Sequence, residues 1–149
     1  PPVAAQAAVM RAALADAHIA PTNVSFVEAH GTGTAVGDVC EATSLSQVFG
    51  GDERSTPLLV GAVKSNIGHL EAAAGIAGLI KTVLVLQHNA SPANLHFSKL
   101  NAAAEAPFAA TIPAPSGTSQ NALAAPNNRS LAPWSGRAVH ASALMSPTG

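Results

Sequence analysis

Two segments of the sequence hold side chains whose types and spacing can do chemistry: Glu28-Ala29-His30-Gly31-Thr32-Gly33-Thr34 and Lys64-Ser65-Asn66-Ile67-Gly68-His69. Each follows an apolar run that reads as a strand, and each sets a histidine beside glycine and a hydroxyl residue. Imidazole titrates near neutral pH and can give or accept a proton. In α/β sheets, ligands gather beyond the carboxyl ends of the strands. Two rings on neighbouring strand ends could therefore grip one reacting group together. For either ring alone the plainer reading is a hydrogen-bonded, partly buried side chain.

Other chemistries fit less well. Gly31-Thr32-Gly33 resembles the opening of a dinucleotide fingerprint, but the third glycine is Gly37, one residue beyond the place that G-x-G-x-x-G requires. His30, Cys40 and His69 are separated by 10 and 29 positions, which matches no compact zinc spacing, so no metal is expected. His18, His88, His96 and His140 lack companion residues and read as structural.

The elements that must position these residues follow from pattern. Val3 to His18 repeats apolar residues at steps of three and four in an alanine background, which predicts a helix stopped by Pro21. Val24–Glu28 is short and β-branched, hence a strand. After the glycine loop, Asp38 is placed to cap a helix that runs through Glu41, Leu45 and Val48 to Gly50-Gly51. Leu58–Val63 is a continuous apolar run, as in a strand buried on both faces. Lys64–His69 reads as a turn and Leu70–Gln87 as a long apolar helix ended by Ser91-Pro92. Within that helix Gly75 and Gly78 each cost about 1 kcal/mol of propensity relative to Ala, which implies close approach of another backbone. Leu95-His96-Phe97 reads as a short extended piece. Helix–strand–helix–strand–helix is an α/β pattern. Beyond residue 101 it is lost: the 102–149 tail is rich in Pro and Ala, has no clear period, and reads as partly irregular.

Composition narrows the function classes. Seven basic against eight acidic residues give a formal charge of −1, without the basic footprint of a nucleic-acid binder. The best membrane-span candidate, Ala72–Leu86, is too short and carries Lys81. The first residues, Pro1-Pro2-Val3-Ala4, do not resemble a secretory signal, and a single cysteine fits a reducing compartment, so the chain reads as cytoplasmic or organellar-stromal. Only 10% of residues are charged. That suits a chain packed against a partner, or else reflects an alanine-biased sequence.

Three stretches resemble one family. They are Glu28-Ala-His-Gly-Thr-Gly-Thr34 with Gly37-Asp38 and Glu41, Val63-Lys-Ser-Asn-Ile-Gly-His-Leu-Glu-Ala-Ala-Ala-Gly75, and Asn94-Leu95-His96-Phe97 with Leu100-Asn101. Long, in order and correctly spaced over residues 3–101, they are similar to the β-ketoacyl synthases, or ketosynthases, of the type I polyketide and fatty-acid synthase branch. The resemblance implies the C-terminal half of a thiolase-like, layered α-β-α-β-α fold in residues 1–101. It also implies decarboxylative Claisen condensation of acyl and malonyl thioesters. His30 and His69 match the family's two histidines and Lys64 its lysine; Thr32 and Thr34 match the threonines that hydrogen-bond the phosphopantetheine arm. Asp38 and Glu41 match positions read as structural. For Lys64 two roles are open: biasing local protonation or orienting the loop, or pairing with Glu28, Glu41 or Glu71. The implied partners are the acyl-carrier protein, which bears the phosphopantetheine, and the N-terminal ketosynthase half or the remainder of a multidomain synthase, as a homodimer. No cofactor is expected on this chain itself.

The chain also departs from the pattern. The family's nucleophilic cysteine belongs to the other half, and Cys40 stands where an aliphatic residue is usual, which suggests packing. Pro133-Trp134 and Arg137–Ser142 weakly resemble the approach to the family's glycine-rich strand. The expected phenylalanine-glycine pair and Gly-Thr-Asn are replaced by Ala143-Leu144 and Pro147-Thr148-Gly149, and 111–129 has no counterpart. Two functions remain: part of a working condensing enzyme, or an inactive remnant that binds carrier protein or another partner.

Overall fold

The computed structural model describes residues 2–51, 54, 57–95, 103–104 and the backbone of 137–140. Helix α1 (Val3–Asp16) follows Pro2, which precedes it in extended conformation. Its alanines favour the helix, and its spacing buries Ala7, Met10 and Leu14 on one side. His18 leaves the helical region at φ 53°, and a single 3₁₀ turn, Pro21–Asn23, delivers the chain into strand β1 (Val24–Glu28). Helix α2 (Gly37–Phe49) then leads to strand β2 (Leu59–Gly61), the one-turn helix α3 (Lys64–Ile67) and a 3₁₀ turn, Glu71–Ala73. Helix α4 (Ala74–His88) ends at Asn89, whose left-handed backbone closes it.

Strands β1 and β2 are parallel, with Glu28 opposite Gly61, and α2 supplies the crossover that parallel pairing requires. A further strand, β3 (Arg137–His140), pairs parallel on the other side of β1, so the described sheet runs β2-β1-β3. The tail thus contributes this strand to the sheet. Parallel pairing over more than a hundred residues of separation leaves no local periodicity, and four residues are too few to show one. The remaining expectations for the tail, and those for His96 and Phe97, lie outside the described residues.

The core is a cluster of Ala7, Met10, Leu14, Val24, Val27, Leu45, Val48, Phe49 and Leu58, which packs α1 and α2 on one face of β1. Close packing of the two helices is aided by Ser44, whose hydroxyl donates to the carbonyls of Cys40 and Val3 at 2.7 and 3.2 Å. Arg54 is buried and donates to the carbonyls of Phe49, Val24 and Pro21, tying the end of α2 to the start of β1. Phe26 and Glu28 alternate onto the other face of β1, where they meet Gly61 and Lys81 of α4.

Several expectations are corrected in detail. Asp38 is not the cap of α2 but lies in its first turn. Residues 64–67 of the expected turn are helical. Leu59 and Val60 are half-buried rather than enclosed, because β2 is an edge strand among the described residues. At Gly75 a side chain would meet no described atom within 4 Å, whereas Gly78 is buried and its carbonyl accepts the Thr82 hydroxyl at 2.9 Å.

Candidate active site

The glycine loop after β1 is held by the first turns of α2. Glu41 spends both carboxylate oxygens on successive amides, accepting from His30 N–H at 2.7 Å and Gly31 N–H at 2.9 Å. Asp38 accepts from Gly33 N–H at 3.2 Å. Gly31 has φ 50°, and a β-carbon there would stand 2.7 Å from that of Ala62, so both conformation and space require glycine. The loop is thus clamped to the helix that follows it.

The second segment is held by other side chains. Asn94 accepts from Ala62 N–H at 2.8 Å and donates to the Val60 carbonyl at 3.1 Å, standing in for a neighbouring strand at the end of β2. Ser65 donates to the Ala62 carbonyl at 2.8 Å and accepts from Leu95 N–H at 3.2 Å. Helix α3 then turns the chain at Gly68 into His69.

The two imidazoles meet. Their ring centroids lie 5.5 Å apart at an interplanar angle of 85°, an edge-to-face arrangement, with His30 half-buried and His69 exposed. Burial pushes the pKa of His30 below its ordinary value, the positive charge of Lys64 pushes it further, and Glu41 only partly opposes them. His69 Nδ1 accepts the Glu71 N–H at 3.0 Å. A neutral ring accepting at Nδ1 carries its proton on Nε2, which is then the donor available to a substrate.

Lys64 is half-buried, and burial lowers its pKa against the pull of Glu41 and Glu28. Among the described residues it has no carboxylate within ion-pair distance. Glu41 is engaged with amides, Glu71 is exposed, and Glu28 is paired with Lys81 at 2.9 Å. The pairing alternative for Lys64 is thereby corrected. Thr32 and Thr34 stand together, their hydroxyl oxygens 3.3 Å apart. Cys40 is half-buried within α2. Among the described residues no three His, Cys, Asp or Glu side chains gather where they could hold a metal ion. Nor is any helix among them long and apolar enough to cross a membrane.

Sequence reasoning brings out the histidines, the lysine and the threonines, but not the work of Glu28, Lys81 and Asn94. Lys81 lies 53 positions from Glu28, and spacing alone does not couple residues so far apart.

Residues 1–98 match the family described as β-ketoacyl synthase, C-terminal domain. Over 102 residues the chain is 56% identical to one of the subunits of the phenolphthiocerol/phthiocerol polyketide synthase of Mycobacterium tuberculosis, covering 68% of this chain and 5% of that protein. It is 54% identical over 95 residues to the polyketide synthase GfsA of Streptomyces halstedii, covering 63% of this chain and 1% of the other. Among solved structures it is similar to the oxazolomycin ketosynthase domain OzmH KS7 of Streptomyces albus, with TM-score 0.66 and 40% identity over 70% of this chain and 19% of that one. The ketosynthase from module 1 of the bacillaene synthase of Bacillus amyloliquefaciens aligns with TM-score 0.65 and 37% identity, covering 72% of this chain and 21% of that one. The chain thus spans a small part of the curated relatives and about a fifth of the solved ketosynthases. With its two histidine segments inside the matched region and its fold shared with these proteins, the chain belongs to the β-ketoacyl synthase family, as a C-terminal domain.

Proposed function

We propose that this domain supplies the decarboxylating half of a ketosynthase active centre, acting with a cysteine-bearing N-terminal half. The observation that carries the reading is the meeting of His30 and His69 at 5.5 Å, on loops held by the separate side chains Glu41 and Asn94. A malonyl thioester binds with its carbonyl oxygen between the two ring N–H groups. As the bond from Cα to the carboxylate carbon breaks, carbon dioxide leaves and the electron pair moves toward that oxygen. Two preorganised donors aimed at the developing enolate are the electrostatic contribution the site makes. The low pKa of His30 favours the neutral ring, and the Glu71 amide favours the Nε2–H form of His69. The Cα carbanion then attacks the acyl thioester on the cysteine of the other half, expelling its thiolate and forming the 3-oxoacyl product.

Lys64 contributes charge beside His30 and pairs with no carboxylate among the described residues. The Thr32 and Thr34 hydroxyls hydrogen-bond the phosphopantetheine arm by which acyl-carrier protein presents the malonyl group. The assembled enzyme is a homodimer, within a multidomain synthase in the cytoplasm or an organellar stroma.

The test is carbon dioxide release from malonyl-carrier protein by the assembled ketosynthase. His30→Ala and His69→Ala should each slow it by about 10²-fold or more, the magnitude expected on removing one oxyanion donor. Carrier-protein binding without decarboxylation in the unsubstituted enzyme would instead identify an inactive binding module.

A further inference from the structure

One buried charged group has no part in that chemistry. Glu28 is fully buried at the end of β1, two residues before His30. Its Oε2 lies 2.9 Å from Lys81 Nζ on α4, while Oε1 accepts the N–H of Val63. Val63 immediately precedes α3, the helix that carries Lys64 and leads to His69. One carboxylate therefore links the strand that leads to the first histidine, the turn that leads to the second, and helix α4.

The surroundings are shaped for this contact. Gly61 pairs with Glu28 across the sheet, and a β-carbon there would lie 2.8 Å from Glu28 Oε2 and 2.9 Å from Lys81 Nζ. With the Phe26 ring also 2.9 Å from that position, a side chain there would have to displace one of these three groups. Among the described residues Lys81 Nζ has no hydrogen-bond acceptor to replace that carboxylate, and Lys81 is itself only 8% exposed. A buried ion pair is a poor means of adding stability, because desolvating two charges offsets their attraction and apolar replacements often do as well. What it supplies is a fixed place for the Glu28 carboxylate, whose other oxygen accepts the Val63 N–H.

We propose that Glu28, held by Lys81, is the positioning residue of the site: its bond to the Val63 amide sets the separation of His30 and His69. The catalytic consequence rests on the function proposed above; the structural tie does not.

The experiment uses the ketosynthase assembled with its cysteine-bearing half. It compares E28Q/K81M, which removes both charges but keeps a side-chain oxygen for Val63, with E28M/K81M, which removes that acceptor too. V63P deletes the amide donor and leaves the ion pair in place; Val63 already has φ −60°, which proline accepts. Each is assayed well below its melting temperature for malonyl decarboxylation, and for magnetisation transfer between the His30 and His69 ring protons.

E28M/K81M and V63P should lose about tenfold or more in kcat with KM within about twofold, the pattern of misplaced groups rather than lost binding, and should lose the ring-to-ring signal. E28Q/K81M should recover most of both relative to E28M/K81M. The proposal is overturned if E28M/K81M or V63P, folded, retains kcat and the ring contact. V63P decides alone if E28M/K81M does not fold. If the unsubstituted enzyme releases no carbon dioxide, the proposed function fails, and the ring contact in the same variants still decides whether Glu28 sets the geometry.

Discussion

A histidine that is to donate a hydrogen bond at neutral pH without becoming a cation needs its charged form disfavoured, and His30 has this arrangement. Partial burial and the Lys64 ammonium both oppose protonation, while Glu41, its carboxylate already committed to two amides, only partly opposes them. The sign of the consequence is fixed. The folded pKa lies below the unfolded value of 6.5, so below that pH the unfolded chain binds more protons. The contribution of His30 to stability is therefore unimpaired above pH 6.5 and declines as pH falls toward the folded pKa. Melts of the assembled ketosynthase at pH 7.5 and 5.5 should show a larger loss than melts of His30→Gln at about the same two pH values; equal losses would refute this account. Lys64→Met removes a charge that opposes protonation, so the His30 titration followed by NMR should move to higher pH. A shift the other way, or none, would mean that Lys64 does not act on His30.

At the scale of elements, the site is a set of loops each closed by a side chain from elsewhere. Glu41 on α2 holds the His30 loop, Asn94 holds the end of β2, and Glu28 ties the strand to the turn before α3. Glu41→Ala leaves two partly buried amides without their acceptor. It should destabilise the assembled ketosynthase by about 1–3 kcal/mol in urea melts, and Glu41→Gln, which keeps one acceptor oxygen, by less. Equal stability of Glu41→Ala and the unsubstituted protein would show that water replaces the carboxylate. These ties also mark what could be read in the sequence. α1, β1 and α2 are legible because apolar spacing and β-branched runs are local signals, and so are the two histidine segments at strand ends. The start of α2 is not, because Asp38 has a capping side chain but uses it on Gly33. The pairing of β3 with β1 and the Glu28–Lys81 pair are invisible there, since each joins positions distant in sequence whose partners only the fold selects.

For the molecule as a whole, α4 poses the sharpest question. It buries Ala74, Gly78, Lys81, Thr82 and Val85, yet Ile76, Leu79, Ile80, Val83, Leu84 and Leu86 stand exposed around the rest of it. A helix apolar on nearly every side belongs inside a protein. The chain covers about a fifth of the ketosynthases it resembles, and under the proposed function the cysteine-bearing half packs on this face. Ile76 and Ile80 are 55% and 54% exposed, one turn apart, and continue with Val83 and Leu84 into a stripe long enough to seat another helix. The isolated chain should therefore bind ANS strongly and self-associate in a concentration-dependent way. Expression together with the cysteine-bearing half should suppress both. Ile80→Asp should weaken that association while leaving the core of Met10, Leu45 and Phe49 untouched, because Ile80 lies outside it. An isolated chain that is monomeric, melts cooperatively and ignores ANS would show that this face needs no cover. The pairing of two halves would then have to rest on another surface.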